Sequence, residues 1–169
     1  MTRLSFCLLL GVAWLPCMAA AQPSQELMVK ARLALNLARF AQRPAAAASE
    51  PLRLCLAHRD AAFEQAFGEL EGKLVNGRRI VLQKAPPVQG CDVLYVHASA
   101  DRGAELVRAC QGGATLTIGD GEGFLAHGGM VELVVVNDAL RFDVNLGPVR
   151  QAQLGLSSQV LKLARQVKE

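Results

Sequence analysis

The sequence predicts an α/β protein: a mostly parallel sheet flanked by helices, with a C-terminal β-hairpin and a terminal helix. Three observations lead there. Short apolar runs alternate with helical patterns between residues 52 and 118, as in strand–helix–strand units. One run, residues 93–96 (VLYV), is apolar without interruption, which suits a strand buried on both faces. Two more strand-like runs, residues 131–136 and 140–146, are separated only by a tight turn at Asn137-Asp138, so the sheet gains antiparallel strands at one side.

Taken in order, residues 1–21 read as a secretory signal peptide. Arg3 supplies the positive start, residues 4–15 (LSFCLLLGVAWL) form an apolar core, and Ala19-Ala20-Ala21 offers an A-x-A cleavage site near Ala21. That core is shorter than the roughly 20 residues a membrane span needs, and no later stretch is long and apolar enough to cross a bilayer. Residues 22–169 are then expected to form one exported α/β domain without membrane insertion. Residues 24–42 read as a helix stopped by Pro44, with one stripe of Leu27, Ala31, Ala34, Ala38 and Ala41 and another of Leu33, Leu37 and Phe40. A helix apolar on most of its surface is buried or pressed on a partner. The Ala-rich stretch after Pro44 reads as a flexible connection.

Residues 52–57 form the first strand. Asp60 is placed to cap a helix carrying Phe63, Phe67 and Leu70 on one face. Residues 79–83 give the next strand, Pro86-Pro87 a surface loop, 101–110 a helix and 114–118 a fourth strand. Pro148 opens a terminal helix in which Leu156, Val160, Leu163 and Val167 align.

The net charge of +3 is spread along the chain without a basic run, and the few aromatics do not interleave with basic residues, a pattern that gives nucleic-acid binding no support, so no nucleic-acid partner is expected. Once the signal is removed, Cys55, Cys91 and Cys110 remain. An exported compartment is oxidising, and strand positions favour a Cys55–Cys91 disulfide with Cys110 as a free thiol, although position does not exclude other pairings.

The stretch IGDGEGFLAHGGM, residues 118–130, invites three readings. GEGFLA has the outline of a dinucleotide fingerprint, but no helix follows to receive a pyrophosphate. Asp120 and Glu122 are too few for a calcium loop, and His127 lacks a second zinc ligand nearby. What is left is a glycine-permitted connection anchored by Phe124, with a binding surface as the alternative. No metal or cofactor is expected.

In the hairpin, a two-residue turn sets Leu133 opposite Phe142, Val135 opposite Leu140 and Val131 opposite Val144, on the core side. The other face pairs Val134 with Arg141 and Glu132 with Asp143. Arg141 is placed to bridge the two carboxylates, either as a solvated cluster or as an electrostatic recognition patch that includes Asn145. His58, His97 and His127 are scattered, Ser157-Ser158 follow no nucleophile-elbow pattern, and no carboxylate pair suggests acid–base work. The protein is therefore expected not to be an enzyme.

The order of these segments resembles the YfiR-like family of exported bacterial regulatory proteins. VKARLALNLARF followed by Pro44 looks like the family's opening helix; LRLCLA, LEGKLVNGRRIVL and CDVLYV follow in order. LTIGDGEGFLAHGGMVEL and LRFDVNLGPVRQAQLGLSSQVLKLAR are the most specific matches. The resemblance implies a dimeric periplasmic protein that represses a membrane-bound diguanylate cyclase by binding its periplasmic sensor region, controlling cyclic diguanylate signalling and biofilm formation. Cys55 and Cys91 match the family disulfide; no second cysteine pair stands near the glycine loop. Arg43 stands where the family carries a tryptophan. Phe124 corresponds to the family's loop aromatic, and Asp143 and Asn145 to the acid and asparagine of the second hairpin strand. The expected partner surface comprises Arg141, Asp143, Asn145, Leu154 and Leu156. A small-ligand-binding sensor feeding a histidine kinase is the alternative, which a polar pocket at the sheet's carboxyl ends would favour.

Overall fold

A computed structural model describes residues 24–43 and 51–169. The expected signal peptide, its expected cleavage site and the expected Ala-rich connection beginning at Pro44 lie outside the described residues. Ten strands and five α-helices follow in order. They are α1 (Gln25–Phe40), β1 (Ala41–Gln42), β2 (Leu52–Ala57), α2 (Ala61–Gly68), β3 (Leu74–Val75), β4 (Arg78–Lys84), β5 (Val93–Val96), α3 (Gly103–Ala109), β6 (Leu116–Gly119), β7 (Val131–Val136), β8 (Ala139–Asn145), α4 (Leu146–Gln151), β9 (Gly155–Leu156), α5 (Ser158–Leu163) and β10 (Gln166–Lys168). A short 3₁₀ turn, Phe124–His127, lies between β6 and β7.

Eight strands form one mixed sheet in the order β10-β8-β7-β6-β5-β2-β4-β3. The five from β4 to β7 are mutually parallel, β8 turns back antiparallel on β7, and β10 runs parallel to β8. The expected α/β architecture is the one observed. Strand alternation divides the interior in two. Leu52, Leu54, Leu56, Val93, Tyr95, Leu116, Ile118, Val131 and Val144 point to a broad core covered by α1 and α2. Cys55, Ala57, Leu94 and Val96 point the other way, into a smaller core closed by α3, by the β4–β5 loop and by Phe124.

Local chemistry explains the helices on the broad face. The Ser24 hydroxyl accepts from the Leu27 N–H and starts α1; the Asp60 carboxylate accepts from the Ala62 and Phe63 N–H groups and starts α2, as its position predicts. Phe63 stacks on Phe67 at 4.1 Å between ring centroids, and Phe67 meets Tyr95 edge-on at 4.6 Å. All three rings are fully buried.

The hairpin has the predicted register, from Val131 opposite Val144 to Val136 opposite Ala139, and Asn137 and Asp138 both take the positive φ that a two-residue turn of this hand requires. Its core side holds Val131, Leu133, Phe142 and Val144, whereas Val135 near the tip is exposed.

The terminal segment departs from expectation. Instead of one helix after Pro148, the chain makes α4, β9, α5 and β10. Gln153 adopts a positive φ after α4, the Ser157 hydroxyl caps a fresh helix by accepting from the Val160 N–H, and Ala164 is extended. β9 pairs with β1, fastening the end of α1 to this region. β10 then satisfies the open edge of β8. Of the four residues expected to share a buried helical face, Val160 is buried, Leu156 is half-buried, and Leu163 and Val167 are exposed.

Candidate functional site

The outward face of the β7–β8 ribbon carries the residues that the sequence singled out. Glu132 and Asp143 are directly opposite one another, as the register predicts. Like charges at that spacing are unfavourable unless each is neutralised. The structure neutralises them separately. Glu132 accepts from the backbone N–H groups of Gly123 (3.1 Å) and Leu125 (3.2 Å), clamping the 3₁₀ turn onto the sheet. Asp143 is gripped by both arms of the Arg165 guanidinium, with the Nε contact at 2.9 Å. That hydrogen bonding holds Arg165 above its ordinary pKa.

The expected Arg141 bridge therefore does not form. Arg165 reaches Asp143 first because β10 brings it alongside β8, with its own N–H donating to the Phe142 carbonyl. Arg141 remains exposed opposite Val134, outside the ion pairs seen among the described residues. Asp143 is only 5 % exposed and Leu154 only 6 %, which corrects their placement as open surface. Asn145 is half-buried and caps α4, its side-chain oxygen accepting from the Gly147 N–H. Leu156 is half-buried in β9, opposite Ala41. What the ribbon and β10 present outward is thus Arg141 and a fixed Arg165.

The glycine loop is a connection. Gly123 and Gly128 flank the 3₁₀ turn in the left-handed region that favours glycine. Phe124 is buried between Gly119 and Gly129, so closely that a β-carbon at either position would overlap its ring. Phe124 is thus the loop's anchor, and the loop makes no helix to hold a phosphate. Among the described residues, no group of three or more His, Cys, Asp or Glu side chains gathers as a metal site would require.

Asp120, at the head of that loop, belongs to a polar cluster that the sequence reading missed. Its carboxylate accepts from the Ala98 N–H at 2.7 Å and lies 2.8 Å from the Lys30 amine, which also pairs with Glu26 at 2.7 Å. Burial opposes the Lys30 charge, but the bonds from Asp120 and Glu26 outweigh it and raise its pKa. His97 lies beside the same carboxylate at 3.8 Å and is held below its ordinary pKa, chiefly by burial. Tyr95 ionises well above its usual range because it is buried, with the Asp120 charge adding to the effect. One sequence signal was available: Lys30 falls within the apolar stripe of α1, where a lysine needs a buried partner.

A second buried network closes the opposite end of the sheet. Arg78 binds both oxygens of Asp92 in a bidentate pair at 3.0–3.1 Å, and Arg43 donates to the Asp92 carbonyl at 2.6 Å. Arg43 is mostly buried, and burial lowers its pKa. This network adjoins the disulfide, which joins Cys55 to Cys91 as expected and leaves Cys110 free and buried. Burial pushes the Cys110 thiol up to about 11, which makes it a poor nucleophile. Finally, an open cleft of about 760 Å³ lies at the carboxyl ends of β2 and β4 against α3. None of the described helices is long and apolar enough to cross a membrane.

The fold recurs in a solved structure, that of a conserved domain protein from Vibrio cholerae O1 biovar El Tor str. N16961. The two superpose with a TM-score of 0.55 at 12 % identity, over 84 % of this chain and 60 % of that one. This chain thus spans 60 % of that structure's length, and the likeness is one of fold. No curated protein matches it. The family assignment comes instead from a sequence match running from α1 to the arginine that holds Asp143: with residues 28–165 matching the family model described as YfiR/HmsC-like, the chain belongs to that family.

Proposed function

We propose that this protein is a periplasmic, non-enzymatic regulator that represses a membrane diguanylate cyclase by binding its periplasmic region as a dimer. The family match over residues 28–165 is the observation that supports this most. Repression by binding requires that the regulator prefer the inactive conformation of the sensor region, since a ligand with equal affinity for both states shifts neither. The proposed contact surface is the outward ribbon face and the β10 edge, with Arg141 free to recognise a partner and Arg165 held in place by Asp143. Asn145, Leu154 and Leu156 would support that surface by shaping α4 and β9. Val29 and Phe40, exposed on the outer side of α1, offer apolar area that a second copy would cover.

Arg141→Glu tests the surface, because it changes an exposed charge without disturbing an ion pair. Relief of cyclase repression is expected, with an unchanged melting temperature. Full repression by normal amounts of that variant would remove this face from the proposal.

The cleft favours a second reading: a small-ligand sensor feeding a histidine kinase. A cyclase encoded beside this protein supports the first reading, and a kinase the second.

A further inference from the structure

We propose that the cleft between α3 and the end of β4 binds a small organic anion with an apolar body. This goes beyond the regulator reading and is a property of the isolated protein, so neither idea stands or falls with the other. The cleft's volume of about 760 Å³ lies within the roughly 300–1,000 Å³ common to small-molecule sites. It also lies at the carboxyl ends of parallel strands, where open α/β sheets gather their ligands.

Its lining specifies the chemistry. Ala57, Ala85, Ala100 and Ala109 are too small to fill the space, and Pro86 and Leu106 add apolar wall. The charged rim is unbalanced. Asp101 is paired with Arg59, and Glu105 with Arg102, so both carboxylates are neutralised within the rim. Lys84 remains exposed and outside the ion pairs seen among the described residues. Three Lys and Arg side chains against two Asp and Glu leave one positive charge beside an apolar floor. An anion gains from that imbalance and a cation is repelled.

The floor is shared with the disulfide core. Ala57 and Ala85 are buried in the same cluster as Cys55 and Cys91, and Ala100 and Leu106 pack against it. An occupant therefore rests on a wall that the disulfide core supports.

The test titrates nitrogen-labelled protein with phenylbutyrate, phenylbutanol and phenylbutylamine, which share one body and differ in head group. Saturable amide shifts are expected at residues 57–59, 84–85 and 100–109, with the carboxylate tightest and the amine weakest. Lys84→Glu should weaken phenylbutyrate about tenfold and move the amine ahead. Ala109→Trp, at an exposed position on the cleft wall, should abolish the shifts while leaving the rest of the spectrum folded. Equal binding of the three head groups would overturn the anion assignment. Shifts centred elsewhere, absence of saturation, or indifference to both variants would overturn the site.

Discussion

The two faces of the sheet are stabilised by different means. The broad face buries a continuous apolar layer under α1 and α2, with a cluster of three aromatic rings at its centre. The disulfide face has a core of about a third as many residues, a single seven-residue helix over it, and a loop tied down by Cys55–Cys91 and the Asp92 network. Apolar burial scales with the area covered. A face with little area to cover needs a covalent or charged clamp, and it leaves room for the cleft of about 760 Å³, against an opening of about 410 Å³ between α1 and the hairpin tip on the broad face. The division suggests that the broad face sets stability and that the thin face is the adaptable one.

The largest expected effect tests that division directly. Phe67→Ala removes a fully buried ring from the stack between Phe63 and Tyr95, and should cost about 3–5 kcal/mol. Denaturant unfolding measures it; a loss well below 1 kcal/mol would mean that the broad face is not the main source of stability. Opening the disulfide comes next. It closes a loop spanning 36 positions, and its removal in a Cys55→Ala, Cys91→Ala pair should cost about 2–4 kcal/mol. Reduction should likewise lower the melting temperature. If reduced and oxidised protein melt together, the bond contributes nothing and the thin face is held by its apolar core and the Asp92 network.

The same contrast separates what the sequence disclosed from what it withheld. Strands β2, β5 and β6, the Asp60 cap and the hairpin register were legible because each follows from residues adjacent in the chain or across a two-residue turn. Cys55–Cys91 was legible for a related reason, since Cys55 lies in β2 and Cys91 just before the neighbouring strand β5. The terminal helix misled because Leu156, Val160, Leu163 and Val167 do repeat at helical spacing. Their pattern contains no sign that the edge of β8 lay open for residues 166–168. The same edge explains Arg165: it stands 22 positions from Asp143, whereas Arg141 is two away, and only tertiary structure could favour the distant arginine. The burial of Asp143 and Leu154 follows from that rearranged segment. Lys30 is different, because its place in an apolar stripe was visible and pointed to a buried acid without saying which.

The smallest expected effect distinguishes the faces by their response to pH. The broad face has a titratable seam at His97, whereas the disulfide core, among the described residues, contains no histidine. His97 touches Phe63, with ring centroids 4.6 Å apart, its Nδ1 lies 2.7 Å from the Ser99 hydroxyl, and Asp120, Lys30, Asp60 and His58 are the charged or titratable groups around it. Burial holds its folded pKa below the ordinary value of about 6.5. The unfolded chain therefore takes up the proton more readily than the folded one. The stability tied to neutral His97 is complete above about pH 6.5 and is lost as pH falls from there through the lower folded value. Urea midpoints should decline between about pH 7.5 and about pH 5.5, above the range where most carboxylates titrate, and His97→Gln should flatten that decline. Parallel slopes in the two proteins would place the pH response elsewhere and leave the two faces distinguished only by how they are packed.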